Sequence, residues 1–299
     1  MNIDALQAEF AEFVNDTSLT DPTNLHRRTQ ALDFLAFVQD VLRMERHFTP
    51  ALQTLQQQAT QLQTALEAVN RQLFQEVRAA IQDGVLAGPA LRHCLDRFTD
   101  YTPQTTDHIY MSYDGLDALV DGLFDFKQAP APQLTPAIDM VHCEETPARV
   151  LLDLIDQVAF APTDVFYDLG SGLGQVVMLV HLLTGVPAKG VEVEPAFAGF
   201  AQQQAQGLGL SNATFVNTDA RTADYSDGTI FFMFTPFRGP LLQAVLARLQ
   251  QAAQQRPIRL CTFGPCSPHV AAQPWLRPLT ADPRHEYKLA IFESLPMAH

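Results

Sequence analysis

The stretch YDLGSGLGQVV, residues 167–177, sets three glycines at alternate positions between a short apolar run and an apolar helical pattern. A backbone this bare suits a tight strand-to-helix turn, because glycine visits positive φ without steric cost. In an open α/β sheet such a turn lies beyond the carboxyl end of a strand, where ligands bind at the topological switch point. Helix N–H groups that begin near Gln175 would face that same place. The turn therefore calls for a parallel sheet around it.

Residues 131–299 read as that sheet. Strands are expected at 165–169, 189–194, 213–219, 229–234, 258–263 and 287–294, and helices at 175–184, 195–208 and 240–255. Thr146 is expected to cap a further helix running to Phe160, with Pro147 at its first position. Strands separated by helices of this length predict a doubly wound, mostly parallel α/β sheet covered on both faces.

Residues 1–130 follow another grammar. Leu52, Leu55, Ala59, Leu62, Leu66, Val69 and Leu73 recur at spacings of three and four, a heptad seam after Thr49-Pro50. With apolar positions at Phe34, Val38, Val41 and Phe48, the seam predicts an antiparallel helical hairpin closed by Asp83-Gly84. Its expected role is packing or dimerisation. Residues 99–113 have no periodicity and read as a loop. Asp114, Asp117, Asp121 and Asp125 lie along one side of a short helix and read as a solvated acidic face. The Pro-rich stretch 128–136 is expected to hold the boundary between an all-helical N-terminal domain and the sheet domain.

Charge narrows the partners. The net charge is −14; residues 1–130 carry 9 Lys and Arg against 18 Asp and Glu, and residues 131–299 carry 10 against 15. Neither half offers the basic cluster that a phosphate backbone demands, so nucleic acid is not expected as a partner. No segment approaches the roughly 18 uninterrupted apolar residues of a membrane span, and no secretory signal is visible at the N-terminus. Cys94, Cys143, Cys261 and Cys266 have no zinc-site spacing, so no metal is expected. Reduced thiols in a cytoplasmic protein are the expectation.

Two cofactors compete for the glycine turn. Dinucleotides want G-x-G-x-x-G, whereas here the spacing is G-x-G-x-G and position 175 is Gln. Asp168, just before the turn, would repel a pyrophosphate and welcome the ammonium and sulfonium of S-adenosyl-L-methionine. Asp168, Gly170, Ser171, Gly172, Gly174 and Gln175 are thus expected to cradle its methionine end. Glu192, about 20 residues on, can take the ribose hydroxyls; Glu194 is the neighbouring alternative. Asp219 and Ala220 can meet the adenine, although Asp219 could equally cap a helix. Phe234 and Phe237 are expected to wall the methyl-acceptor site. Thr235 brings a hydroxyl and Arg238 a charge. Glu145 can reach the cofactor's ammonium, with Tyr110 and Tyr113 in the same covering segments. Cys266 and His269 are weaker acid–base candidates, and Trp275 reads as a packing residue.

These residues resemble a known family. FYDLGSGLGQVV and GVEVEP are similar to the first motif and following acidic strand of class I S-adenosylmethionine-dependent methyltransferases. More narrowly, Glu145-Thr146, Asp168 to Gln175 and Glu192 resemble the seven-stranded histone-lysine methyltransferases named for disruption of telomeric silencing. Bacterial-type methyltransferases with a helical N-terminal extension are similar too. The likeness covers about residues 140–235. It implies a Rossmann-like seven-stranded sheet, S-adenosylmethionine as cofactor, methyl transfer, and Thr146 beside Glu145 in the site. Two departures stand out: the family's asparagines after the fourth strand are replaced by Met233 and Phe234, and its DNA-binding basic region is absent. The acceptor, a small molecule or a protein side chain, is therefore open. A non-catalytic cofactor-binding or helical interaction protein is the alternative, and a dinucleotide-dependent oxidoreductase a further one.

Overall fold

A computed structural model of the protein describes residues 3–45, 49–98, 113–135, 139–140 and 144–296. The expected loop at 99–113 lies outside the described residues apart from Tyr113; Tyr110 and Cys143 are outside them too. Helices α1 (Ile3–Asn15), α2 (Leu25–Met44), α3 (Pro50–Gln82), α4 (Gly88–Asp96) and α5 (Gly115–Leu123) come first. Thr49 caps α3 by accepting from the Leu52 N–H, with Pro50 opening the helix. Asp83 caps its far end, and Gly84 turns the chain at φ +71°.

The heptad seam is filled within the chain. Leu52, Leu55, Ala59 and Leu66 are buried against Leu35, Val38 and Leu42 of α2 and Phe10 and Phe13 of α1. Further along, Leu73, Val77 and Ile81 enter the same core cluster as α4, α5 and the sheet. Of the two expected roles, packing or dimerisation, packing within the chain accounts for these positions, while Leu62 and Val69 stay partly exposed.

The second part runs α6 (Ala148–Gln157), β1 (Phe166–Leu169), α7 (Gln175–Thr184), β2 (Ala188–Glu192), α8 (Pro195–Gly207), β3 (Ala213–Asn217) and β4 (Ile230–Phe234). It continues with α9 (Gly239–Ala253), β5 (Arg259–Phe263), α10 (Ser267–Ala271), β6 (Leu276–Pro278) and β7 (Ala290–Ser294). The seven strands lie in the order β3-β2-β1-β4-β5-β7-β6, parallel except where β7 pairs antiparallel with β5 and β6. Order reverses between β1 and β4, so the ends of these two strands form the switch point. The seven-stranded, Rossmann-like α/β architecture is the expected one; β6 and α10, both very short, had no visible pattern.

Alternation along the strands sends side chains to two cores. Phe166, Ile230, Phe232 and Phe263 pack with α6, α7 and the N-terminal helices. Tyr167, Leu169, Phe231, Met233 and Leu260 pack with α9 on the other face. Trp275 packs against this second cluster, as expected of it.

Helix α6 departs from expectation at both ends. It starts at Ala148 with Pro147 as its flanking residue, and stops at Gln157 rather than Phe160. Thr146 is not its cap. The Ala148 N–H is instead taken at 2.7 Å by the Asp117 carboxylate of α5. That bond also overturns the solvated acidic face: Asp117 is buried, Asp114 pairs with Arg149, and Asp121 is half-buried, with only Asp125 exposed. Among the described residues no helix is long and apolar enough to cross a membrane.

Candidate functional site

The glycine turn sits at the switch point. Its backbone is tied to β2, since the Gly170 and Ser171 N–H groups both donate to the Val191 carbonyl, at 2.8 and 3.2 Å. Gly170, Gly172 and Gly174 all have positive φ, at +82°, +50° and +87°. Two of them are also bare because the protein's own chain crowds them. A Cβ on Gly170 would stand 2.4 Å from the Pro236 Cβ, and one on Gly174 would stand 2.6 Å from the Phe215 ring. The turn is moulded to the β4 loop and to β3 before any ligand is considered.

Beside it lies a cavity of about 520 Å³, within the range of small-molecule sites. Asp168, Gly170, Ser171, Gly172, Gln175, Glu192, Asp219, Ala220, Glu145, Thr146, Phe234, Thr235 and Phe237 all border it. Gly174 does not; it acts as the flanking residue of α7.

The carboxylates divide by what they bind. Asp168 is 3% exposed and accepts no hydrogen bond from the described residues. Burial, and then the charge of Glu192, push its carboxyl up to about 8. A buried carboxyl without donors stays neutral until a cation or donor arrives. Glu192 accepts from the Gly172 and Glu194 N–H groups, each at 2.8 Å; burial still raises it. Glu194 is spent on structure, capping α8 through Ala196 and holding the Leu134 N–H at 2.8 Å. Its backbone donors keep its carboxyl below the usual range despite burial. Among the described residues the Ser171 hydroxyl and the Gln175 side-chain oxygen are buried without partners. One can donate and the other accept; both atoms are closed off from solvent, the Ser171 hydroxyl against Gly190 of β2.

This set fits S-adenosylmethionine. Asp168 and the Gln175 oxygen suit an ammonium and a sulfonium, the Ser171 hydroxyl suits a carboxylate, and Glu192 suits a ribose diol. At the adenine end Ala220 is buried as expected, but the Asp219 carboxylate accepts from the Arg221 backbone at 2.8 Å and from its guanidinium at 2.6 Å. Those bonds hold Asp219 below the usual carboxylate range. An adenine amino group would share that carboxylate with Arg221.

At the end of β4 the walls are aromatic. Phe234 packs on Phe263 with ring centroids 5.4 Å apart, and Phe237 is buried and bridged to Met140. Thr235 differs from expectation: its hydroxyl donates to the Phe263 carbonyl at 3.1 Å and accepts the Cys266 N–H at 3.3 Å. It fastens the β4 loop to the β5 loop, at a φ of +44° that a β-branched residue rarely adopts. Arg238 is exposed at the rim and, among the described residues, is the one Lys or Arg lining the cavity. Cys266 and His269 do not border it, one buried behind the loop and one facing solvent. Burial raises the Cys266 thiol.

Several wall residues had no legible signal. Pro132, Leu134 and Thr135 come from the stretch that reads as a linker, yet they line the cavity. The Glu194 carboxylate, by holding the Leu134 N–H, ties that stretch to the site. Phe197 in the first turn of α8 also lines it, its ring hidden in a helix start that reads as ordinary.

Residues 136–224 match the family profile described as "Histone methylation protein DOT1". Among solved structures, the chain is similar to an RNA methyltransferase from Salinibacter ruber in complex with S-adenosyl-L-homocysteine. That likeness has 20% identity and a TM-score of 0.38, over 50% of this chain and 92% of that one. A SAM-dependent methyltransferase from Aquifex aeolicus matches at 14% identity and a TM-score of 0.40, over 50% and 92%. A geranyl diphosphate C-methyltransferase from Streptomyces coelicolor A3(2) matches at 18% and 0.34, over 43% and 48%. No curated protein matches the chain. The matched segment runs through the glycine turn and Glu192, and over that segment the chain is similar to S-adenosylmethionine-dependent methyltransferases.

Proposed function

We propose that the cavity between the glycine turn and the β4 loop binds S-adenosylmethionine and presents its methyl group to an acceptor resting against Phe234 and Phe237. The observation that carries this reading is the buried Asp168 carboxylate, which borders the cavity beside the glycine turn and accepts no hydrogen bond from the described residues. When bound, the cofactor supplies a methyl carbon on a sulfonium, open to in-line displacement.

The chain's own part is binding, orientation and exclusion of water. Asp168 and Gln175 take the cationic methionine end, Glu192 the ribose, and Asp219 with Ala220 the adenine. Glu145 and Thr146 close the site from the segment before α6. Phe234, Pro236 and Phe237 wall the acceptor side, held by the Thr235 fastening. Their apolar faces suit an acceptor with an apolar body, either a small molecule or a protein side chain. The free thiols of Cys94, Cys261 and Cys266 support a reducing, cytoplasmic setting.

Calorimetric titration with S-adenosylmethionine, S-adenosylhomocysteine and reduced dinucleotide tests the cofactor. Binding of the first two alone supports the reading, while binding of the dinucleotide alone moves it to an oxidoreductase. Release of labelled S-adenosylhomocysteine during an acceptor screen then separates an enzyme from a protein that only binds.

A further inference from the structure

We infer that the start of α5 is a positioning element for the cofactor site, with Asp117 as its central residue, holding the segment Glu144–Thr146 against the cavity. The inference rests on the cofactor reading above and adds a part to it.

Three contacts run from one turn of the N-terminal helices to the cavity segment. The Tyr113 hydroxyl donates to the Glu145 carbonyl at 2.9 Å. The Asp117 carboxylate accepts the Ala148 N–H at 2.7 Å through one oxygen and the Asp114 N–H at 2.7 Å through the other. Arg149 pairs with Asp114, both side chains largely buried. Residues 145–149 are thus held at their first carbonyl, at the first N–H of α6 and at a side chain one residue on. Glu144, Glu145 and Thr146 line the cavity and precede that N–H directly.

Asp117 does two jobs at once. It completes the capping box of α5, and it serves as the cap of α6 from outside that helix. A carboxylate accepting two backbone N–H groups in a site 5% exposed is fixed in direction. Asn can reproduce one of those bonds but must turn an NH₂ toward the other donor. Such a change spares the volume and the fold of α5 while releasing one end of the clamp. Arg92 provides the contrast: it also joins the N-terminal helices to α6, through both Asp156 oxygens at 2.6 and 3.0 Å, but at the far end of α6.

The test measures S-adenosylhomocysteine binding to the full chain by calorimetry, with thermal melts beside it. Asp117→Asn is expected to weaken binding about tenfold or more, and Tyr113→Phe about threefold, magnitudes ordinary for one lost hydrogen bond. Arg92→Ala is expected to lower the melting temperature and leave binding within about twofold. Folded Asp117→Asn that binds like wild type overturns the inference, as does an equal loss in Arg92→Ala, which would mean general loosening. If Asp117→Asn does not fold, Tyr113→Phe decides, because that side chain is exposed; unchanged binding there overturns the clamp. Failure of the wild-type chain to bind overturns the cofactor reading itself, a result distinct from unchanged variants of a binding chain.

Discussion

Asp168 and Asp117 are buried to nearly the same degree, 3% and 5% exposed, and burial raises both carboxyls, to about 8 and about 6. Their surroundings differ most in the donors that meet them. Asp117 is met by two backbone N–H groups, whereas Asp168 accepts none from the described residues and faces a cavity. Leaving a buried polar group unpaired costs free energy, so proteins keep such groups where something else will pair with them. On the proposed reading, the satisfied aspartate is a fastener and the unsatisfied one part of a binding site. Burial and a raised pKa alone do not tell them apart.

The most forceful way to break this contrast is Asp168→Ala. Cofactor binding is expected to fall more than about a hundredfold, while the melting temperature of the cofactor-free protein holds or rises. Retained binding, within a few-fold, in calorimetry would make Asp168 another structural residue. Next comes Gly170→Ala. Its Cβ would meet Pro236 and its φ is +82°, so unfolding free energy should drop by about 1–3 kcal/mol in a denaturant titration. No drop would mean the turn is bare for the ligand alone.

A smaller effect concerns the pH dependence of the cofactor-free fold. The Asp168 carboxyl is raised in the folded state, so its neutral form contributes stability that is fully present below the ordinary aspartate pKa. That contribution is lost as pH rises through about 8. Wild type should therefore melt lower at pH 8 than at pH 6, and Asp168→Asn should flatten that slope. Equal slopes would assign the titration to other groups. Smallest of all is Arg221→Ala. Its guanidinium is half exposed, so cofactor binding should change by no more than about threefold. A larger loss would place Arg221 among the adenine contacts.

What was legible in sequence follows from range. The β1 strand, the glycine turn and α7 are contiguous, and their signals are local: an apolar run, positive-φ glycines, a helical period. Helix α7 accordingly spans Gln175–Thr184 as expected. The acidic spacing of α5 is equally local, but periodicity says only which side chains share a face, not what covers that face. Here α6 covers it, and Asp117 goes to a helix 31 residues away. The Thr146 cap failed for the same reason, because a donor satisfied from a distant element leaves no mark in its own neighbourhood. Leu134 shows the limit again. A Pro-rich stretch carries no apolar period, yet the Glu194 carboxylate draws it into the cavity wall. In the β4 loop, FTPF named the right walls, but the Thr235 hydroxyl turned inward because Phe263 and Cys266 of the neighbouring strand end were there to receive it.

The central claim is that Asp168 waits for a cation, and the affinity of the wild-type chain for S-adenosylmethionine between pH 6 and pH 8 tests it most directly. Binding to the ionised carboxylate requires loss of its proton below about 8. The dissociation constant should therefore tighten by close to tenfold from pH 6 to 7, keep tightening to about pH 8, and level off only above it. Binding with a flat profile across that range would contradict the account, since it would mean the cofactor sits in the cavity without calling on the charge of Asp168.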